Sequence, residues 1–321
     1  MLSLDPVFVL SHPAQHRMTQ TQLLPTGAAP SVCVANTANS FCRARQWELV
    51  EFVGLGSLAH IYRARPFGTP ADRPATYAVK MLRPCWEDDG QAIRLLQREA
   101  LVGRSVSDPH LVPILAAYVL EPPRLLVMPW LDGASLATRI ADGQQFGVPE
   151  ALWFVRQTAE ALDALHTAGW LHGDVTPGNI HVSSTGHVTL LDFNFARRSH
   201  ETGSAVDRPI MGTCGYLAPE YITSTLQPDI RSDIYSLGVV LFEILSGRRP
   251  FLGETLAQLA TQHRQAAVPD LARLAPHVPR EVVHLVRQMM AKEPLRRSQT
   301  PRELIDRLVA LEIATFSERA G

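Results

Sequence analysis

Leu171-His172-Gly173-Asp174-Val175-Thr176-Pro177-Gly178-Asn179-Ile180, followed after the apolar run Val188–Leu191 by Asp192-Phe193-Asn194-Phe195-Ala196, is the stretch on which the reading of this 321-residue chain turns. It sets two carboxylates and one carboxamide at loop positions, and a hard divalent cation takes such oxygen ligands. Taken singly, Asp and Asn in turns are ordinary, because their side chains hydrogen-bond nearby backbone. What precedes them changes the balance.

Upstream lies Gly54-Leu55-Gly56-Ser57-Leu58-Ala59-His60-Ile61, between two predicted strands. Glycines let a backbone pass close to phosphate and present its N–H groups. Alone, such a loop is a weak signal and reads more readily as an ordinary hairpin turn. Next comes Tyr77-Ala78-Val79-Lys80-Met81-Leu82, an apolar strand carrying a cation. Of the 30 basic residues only Lys80 and Lys292 are lysines, so each lysine invites its own question. On the helix predicted from about Glu87 to Val106, Glu99 has Leu95, Leu96 and Val102 on its own face and so projects from the apolar stripe. An inward carboxylate requires a cation, and Lys80 is the candidate.

Working outward, residues 1–46 read as a disordered tail, with only Asp5, Arg17, Arg43 and Arg45 charged and no periodicity. Five strands (47–53, 58–64, 75–82, 113–120 and 124–130) and one helix make a small β lobe over 47–131. A mainly helical lobe follows over 132–312. Its elements include a helix from Pro149 to Gly169, a central helix over 231–246 that is apolar nearly all round, and a last helix opened by Thr300-Pro301-Arg302-Glu303. Residues 313–321 form a short second tail. The junction near 131–134 is where a ligand cleft is expected.

The 30 Lys+Arg and 31 Asp+Glu leave a formal charge of −1, which removes the electrostatic case for a dedicated nucleic-acid or membrane-surface binder. No basic, then apolar leader and no apolar run of about 20 residues is visible, so a soluble cytoplasmic protein without a membrane anchor is expected. Cys33, Cys42, Cys85 and Cys214 show no ligand spacing and read as free thiols.

Together these motifs resemble the eukaryotic-type Ser/Thr protein kinases of bacteria, over about residues 47–312. Gly54–Ile61 is similar to the Gly-rich loop, Ala78-Val79-Lys80 to the V-A-I-K strand, and Glu99 to its ion-pair partner. His172–Asn179 stands at H-R-D-L-x-x-x-N and Asp192-Phe193-Asn194 at D-F-G. Ala218-Pro219-Glu220 is an intact A-P-E, preceded by Gly212-Thr213 and Tyr216. Asp233 matches the central-helix aspartate, and Arg297 the arginine that pairs with Glu220.

The resemblance implies an α+β bilobal fold, ATP and Mg²⁺ as cofactors, and a protein hydroxyl as acceptor. It implies that Asp174 accepts the substrate hydroxyl proton, that Asn179 and Asp192 hold the metal, and that Lys80, balanced by Glu99, meets the α- and β-phosphates. Nucleotide contacts would come from Val53, Gly54, Leu55, Gly56, Ser57, Ala59, Ile61, Ala78 and His181. Met128 would be the gatekeeper, with the backbone of Pro129, Trp130 and Leu131 at the adenine edge.

The pattern also departs from the family. Ala59 replaces the third glycine, and His181 replaces an aliphatic residue under the adenine. Gly173 replaces the arginine that reads a phosphorylated activation loop, so activation by Ser199, Thr202 or Ser204 phosphorylation loses its receptor. Asn194 replaces the D-F-G glycine and is expected to take a left-handed backbone. Thr176 replaces a lysine near the γ-phosphate, leaving a slot that a lysine would fill. A pseudokinase that binds ATP or a partner is the alternative these departures suggest. The H-G-D-x-x-P-G-N pattern also resembles small-molecule phosphotransferases, although an intact A-P-E segment argues for a peptide platform.

Overall fold

In the computed structural model the described residues are 42–199, 201, 214–222 and 227–317. They form two compact units, one of residues 42–97 with 114–130, the other of 98–113 with the described residues from 131 onward.

The smaller unit is a six-stranded antiparallel sheet in the order β1-β2-β3-β4-β6-β5. Its strands are β1 (Cys42–Ala44), β2 (Trp47–Leu55), β3 (Ala59–Pro66), β4 (Tyr77–Leu82), β5 (Ala116–Tyr118) and β6 (Leu125–Pro129). Alternation along β2 turns Trp47 and Leu49 inward, where they meet Ala44, Ala64, Val79, Leu125 and Val127. Each large apolar side chain buried in this way contributes roughly 1.5–3 kcal/mol. The sheet begins earlier than composition suggested. Cys42–Ala44 pairs with Trp47–Leu49 inside the stretch read as tail, because a strand of three residues carries too little periodicity to register. Cys42 is disulfide-bonded, which corrects the reading of four free thiols, while Cys85 and Cys214 are free. Spacing alone does not tell which thiols meet in space.

Helix α1 (Gly90–Ser105) starts where Asp89 accepts the N–H groups of Gln91 and Ala92. Its second half and the segment to residue 113 group with the larger unit, not with the β lobe to which the sequence reading assigned them. There Leu111 bridges to Leu190, and Val112 donates to the Leu190 carbonyl.

The larger unit contains α2 (Leu136–Ala141), α3 (Val148–Thr167), α4 (Pro219–Ile222), α5 (Ile230–Ser246), α6 (Leu256–Gln265), α7 (Leu271–Leu274), α8 (Arg280–Met289) and α9 (Pro301–Ser317). Two small sheets join them. One orders β10 (Val188–Leu190), β9 (Ile180–Val182) and β7 (Ala134–Ser135), and the other pairs β8 (Trp170–Leu171) with β11 (Arg197–Arg198). A capping box of Asp229 and Ser232 opens α5, Gly247 closes it, and all fourteen residues from Ser232 to Leu245 are buried. This is the all-round apolar pattern realised as a central helix. Helix α9 runs to Ser317, beyond the boundary expected at 312. Among the described residues no helix is long and apolar enough to cross a membrane.

Candidate active site

In the smaller unit, Gly54 and Leu55 pair with Ile61 and His60, leaving residues 56–58 as the hairpin loop. Gly56 donates to the Ala59 carbonyl at 2.8 Å, and a Cβ there would approach that oxygen to 3.1 Å. Ala59 is buried in β3, whereas Val53 and Leu55 are exposed. Lys80 sits between Ile61 and Leu126 in the sheet and is 8% exposed; Ala78 faces Met128 across the β4–β6 pair. After β6, the Trp130 N–H donates to the Thr76 carbonyl at 2.9 Å. The Arg63 guanidinium lies 4.7 Å from the Trp130 ring.

In the larger unit, the loop leaving β8 hangs from α5. The Asp233 carboxylate accepts the N–H groups of His172 at 2.8 Å and Gly173 at 2.9 Å. Burial pushes this carboxyl up to about 7 against the pull of those two bonds. The His172 ring accepts the Asp174 N–H at Nδ1, so its proton sits on Nε2 and is donated to the Leu191 carbonyl. Burial holds that imidazole neutral, its pKa lowered to about 4.

One turn on, the Asn179 amide donates to both the carbonyl and the carboxylate of Asp174, at 2.8 and 2.9 Å. Its Oδ1 is thereby turned away from Asp174. Leu191 then donates to the Asn179 carbonyl at 2.8 Å, which sets Asp192 beside the loop. Asp174, Asn179 and Asp192 are thus brought together by one set of backbone bonds. Asp192 has φ of 64°, a left-handed backbone uncommon for a residue other than glycine and of the kind that accompanies functional constraint. The donor types fit a divalent cation, which takes carboxylate and amide oxygens such as those of Asp192 and Asn179.

The left-handed turn falls on Asp192, not on Asn194, where the sequence placed it. Asn194 is buried, and its Oδ1 has no hydrogen-bond partner. Gly173 has φ of +79°, and a Cβ there would stand 2.6 Å from the Phe195 carbonyl oxygen and 3.4 Å from the Tyr221 hydroxyl. That hydroxyl is itself buried without a partner. Thr176 is 6% exposed. His181 donates from Nε2 to the Asp132 carbonyl at 3.3 Å, and burial lowers its pKa. Glu99 is 1% exposed on α1.

Around the site, Glu220 is held by Arg297 through two bonds of 2.6 and 2.9 Å and by the Ser232 hydroxyl at 2.7 Å. Arg297 also donates to the carbonyls of Ala291, Arg231 and Lys292. Breaking such a buried pair from one side costs about 3–5 kcal/mol. Two partnerships escaped the sequence reading. Arg98 holds Glu201 at 2.8 Å and the Ala196 carbonyl at 3.1 Å, and the Tyr216 hydroxyl donates to Glu243 at 2.6 Å. The pairs are far apart in sequence, so no local pattern announces them. Gly212, Thr213, Thr202 and Ser204 lie outside the described residues.

The protein kinase domain model matches residues 47–308. The chain is similar to a probable serine/threonine-protein kinase PknB of Lactococcus lactis, 32% identical over 250 residues, covering 78% of this chain and 39% of that protein. It is 31% identical over 259 residues to the serine/threonine-protein kinase PrkC of Bacillus subtilis, covering 81% and 39%. With PknB of Mycolicibacterium smegmatis it shares 33% over 266 residues, 81% and 42% of the two chains. The chain thus spans about two-fifths of the length of these relatives. A match running from the first long strand into the last helix, on a loop suspended from a buried helical aspartate, leaves one conclusion: the chain belongs to the protein kinase domain family.

Proposed function

We propose that this protein is an ATP-dependent Ser/Thr kinase that transfers the γ-phosphoryl group of ATP to a protein hydroxyl in the cytoplasm, where ATP is supplied. The observation that carries the reading is the Asp174–Asn179 pair. The amide fixes the carboxylate by its nitrogen and keeps its oxygen for a cation. Mg²⁺, when bound with ATP, neutralises phosphate charge, and Asn179 and Asp192 would hold it.

Asp174 orients the acceptor hydroxyl and takes its proton. Lys80 meets the α- and β-phosphates, and the family pattern gives Glu99 as its counter-charge. Val53, Gly54, Leu55, Gly56, Ser57, Ala59, Ile61, Ala78, Met128, Pro129, Trp130, Leu131 and His181 receive the nucleotide. Phosphoryl transfer suits such a set, because catalysis there is mostly positioning and charge stabilisation.

The test is incubation with radiolabelled ATP, Mg²⁺ and a Ser/Thr peptide mixture, beside an Asp174→Asn control. Label transferred by the wild type and lost in the control is the expected result. Nucleotide binding without transfer would replace this reading with that of a pseudokinase, and transfer to an aminoglycoside-like small molecule alone with that of a small-molecule phosphotransferase.

A further inference from the structure

Lys292, the second of the two lysines, ends a chain of three hydrogen bonds whose other end is the backbone just before the A-P-E motif. Its ammonium lies 3.2 Å from the Tyr235 hydroxyl, that hydroxyl 3.0 Å from His263 Nδ1, and His263 Nε2 3.0 Å from the Gly215 carbonyl. Every direction is forced. An ammonium only donates, so the Tyr235 oxygen accepts from it and gives its own proton to Nδ1. The imidazole proton is then on Nε2 and goes to Gly215. Tyr235 and His263 are both fully buried, so each bond is shielded from competing water.

The charged and titratable groups around Lys292 are few. Tyr235 from α5 and His263 from α6 are in the chain, and the neighbouring Phe251 ring, 4.2 Å from the ammonium, brings only its π face. Arg297 lies on the same loop, stacked 4.8 Å from the Tyr235 ring and donating to the Lys292 carbonyl. Its charge is balanced by Glu220 on α4. Burial first, and then Arg297, lower the Lys292 pKa to about 8; burial and Lys292 lower that of His263 to about 4. Histidine therefore stays neutral in the working range, and Lys292 is the member that titrates.

Arg297 and Lys292 thus grip the two ends of one segment. Arg297 holds Glu220 directly, and Lys292 holds Gly215 through two side chains. Cys214, next to Gly215, is close enough to Asp174 for that carboxylate, after burial, to raise the thiol pKa. We propose that Lys292 is a positioning residue for the peptide substrate, its ammonium fixing the Gly215 end of the substrate-facing segment 214–222 through Tyr235 and His263. The proposal rests on the protein-kinase reading above and extends it to a residue that touches neither ATP nor peptide.

Steady-state kinetics of the full chain with a Ser-containing peptide provide the test. Lys292→Met is expected to raise the peptide KM about tenfold, the effect of losing one charge-assisted bond, while the KM for ATP stays within about twofold. Tyr235→Phe, which removes the middle link at constant shape, should move the same constant in the same direction. Wild type should show kcat/KM for peptide falling as pH rises through about 8. Lys292→Arg keeps its charge at that pH, so it should retain the low peptide KM and lose the alkaline fall. No rise in peptide KM, or equal rises for peptide and ATP, in folded Lys292→Met protein overturns the proposal. Amide hydrogen exchange gives a readout independent of turnover, with Tyr216 and Leu217 expected to exchange at least about tenfold faster in Lys292→Met. Unchanged exchange also overturns it. If the wild type transfers no phosphate yet exchange responds, the kinase reading falls and the positioning chain stands.

Discussion

The Asp233 carboxylate, in the first turn of α5, bonds the backbone N–H of Gly173 with one oxygen and that of His172 with the other. An amide cannot do both, because its NH₂ would face an N–H. Asp233→Asn should therefore lose about 1–3 kcal/mol of stability, read as a lower urea midpoint, and should reduce kcat more than the KM for ATP. The pH dependence has a definite sign. The folded pKa is raised from 3.8 to about 7 by burial, so the native state holds the proton more tightly. The stability this group contributes is fully present below about 4 and lost as pH rises through about 7. Denaturation midpoints measured from pH 5 to 8 should show that component in wild type and not in Asp233→Asn.

Restoring the family arginine at Gly173 should fail to restore a phosphate reader. The backbone there is left-handed, and a Cβ meets the Phe195 carbonyl oxygen at 2.6 Å. The conformation alone costs a non-glycine residue about 1–2 kcal/mol, and the overlap adds to it. Gly173→Arg should lower Tm by about 4 °C or more. A Tm within a degree of wild type would show that the loop relaxes freely.

Lys80→Met should abolish transfer in a folded protein. Methionine keeps much of the stem inside the sheet, where residue 80 is 8% exposed, but supplies no charge for phosphate. Loss of a preorganised charge at a phosphoryl site lowers turnover by about 10²–10³. A folded variant, checked by circular dichroism, with unchanged kcat would remove Lys80 from the machinery.

Replacing Ser199, Thr202 and Ser204 together by Ala should leave activity within about tenfold of wild type, about 1.4 kcal/mol. The Ser199 hydroxyl is buried, and Gly173 offers no cation to a phosphate. Of the guanidinium groups beside this segment, Arg98 is engaged with Glu201 and the Ala196 carbonyl, Arg197 with the Glu201 carbonyl and Arg198 with the Ala168 carbonyl. Single-turnover rates of the triple variant settle the point, and a larger loss would mean that another cation reads the loop.

The central helix and the strand lysine were legible because each announces itself within a few residues. Residues 231–246 are apolar nearly all round, and Lys80 interrupts an apolar strand. Asn194 was read less well. Its identity suggested a left-handed turn, but the backbone there depends on neighbours distant in sequence, and the turn falls on Asp192. The Lys292–Tyr235–His263 chain was illegible for the same reason. Its members are 28 to 57 residues apart and meet only when α5, α6 and the loop before α9 pack.

The ion pair between Glu220 and Arg297 spans 77 residues of sequence. During synthesis, Glu220 emerges from the ribosome long before its guanidinium exists. Until Arg297 follows, that carboxylate lacks the guanidinium that accompanies it into the interior. The A-P-E segment of a growing chain therefore stays without its buried ion pair until nearly all of the helical unit has been made. A chain that ends upstream of Arg297 must bury Glu220 without its cation, which costs about 3–5 kcal/mol, or leave it in water.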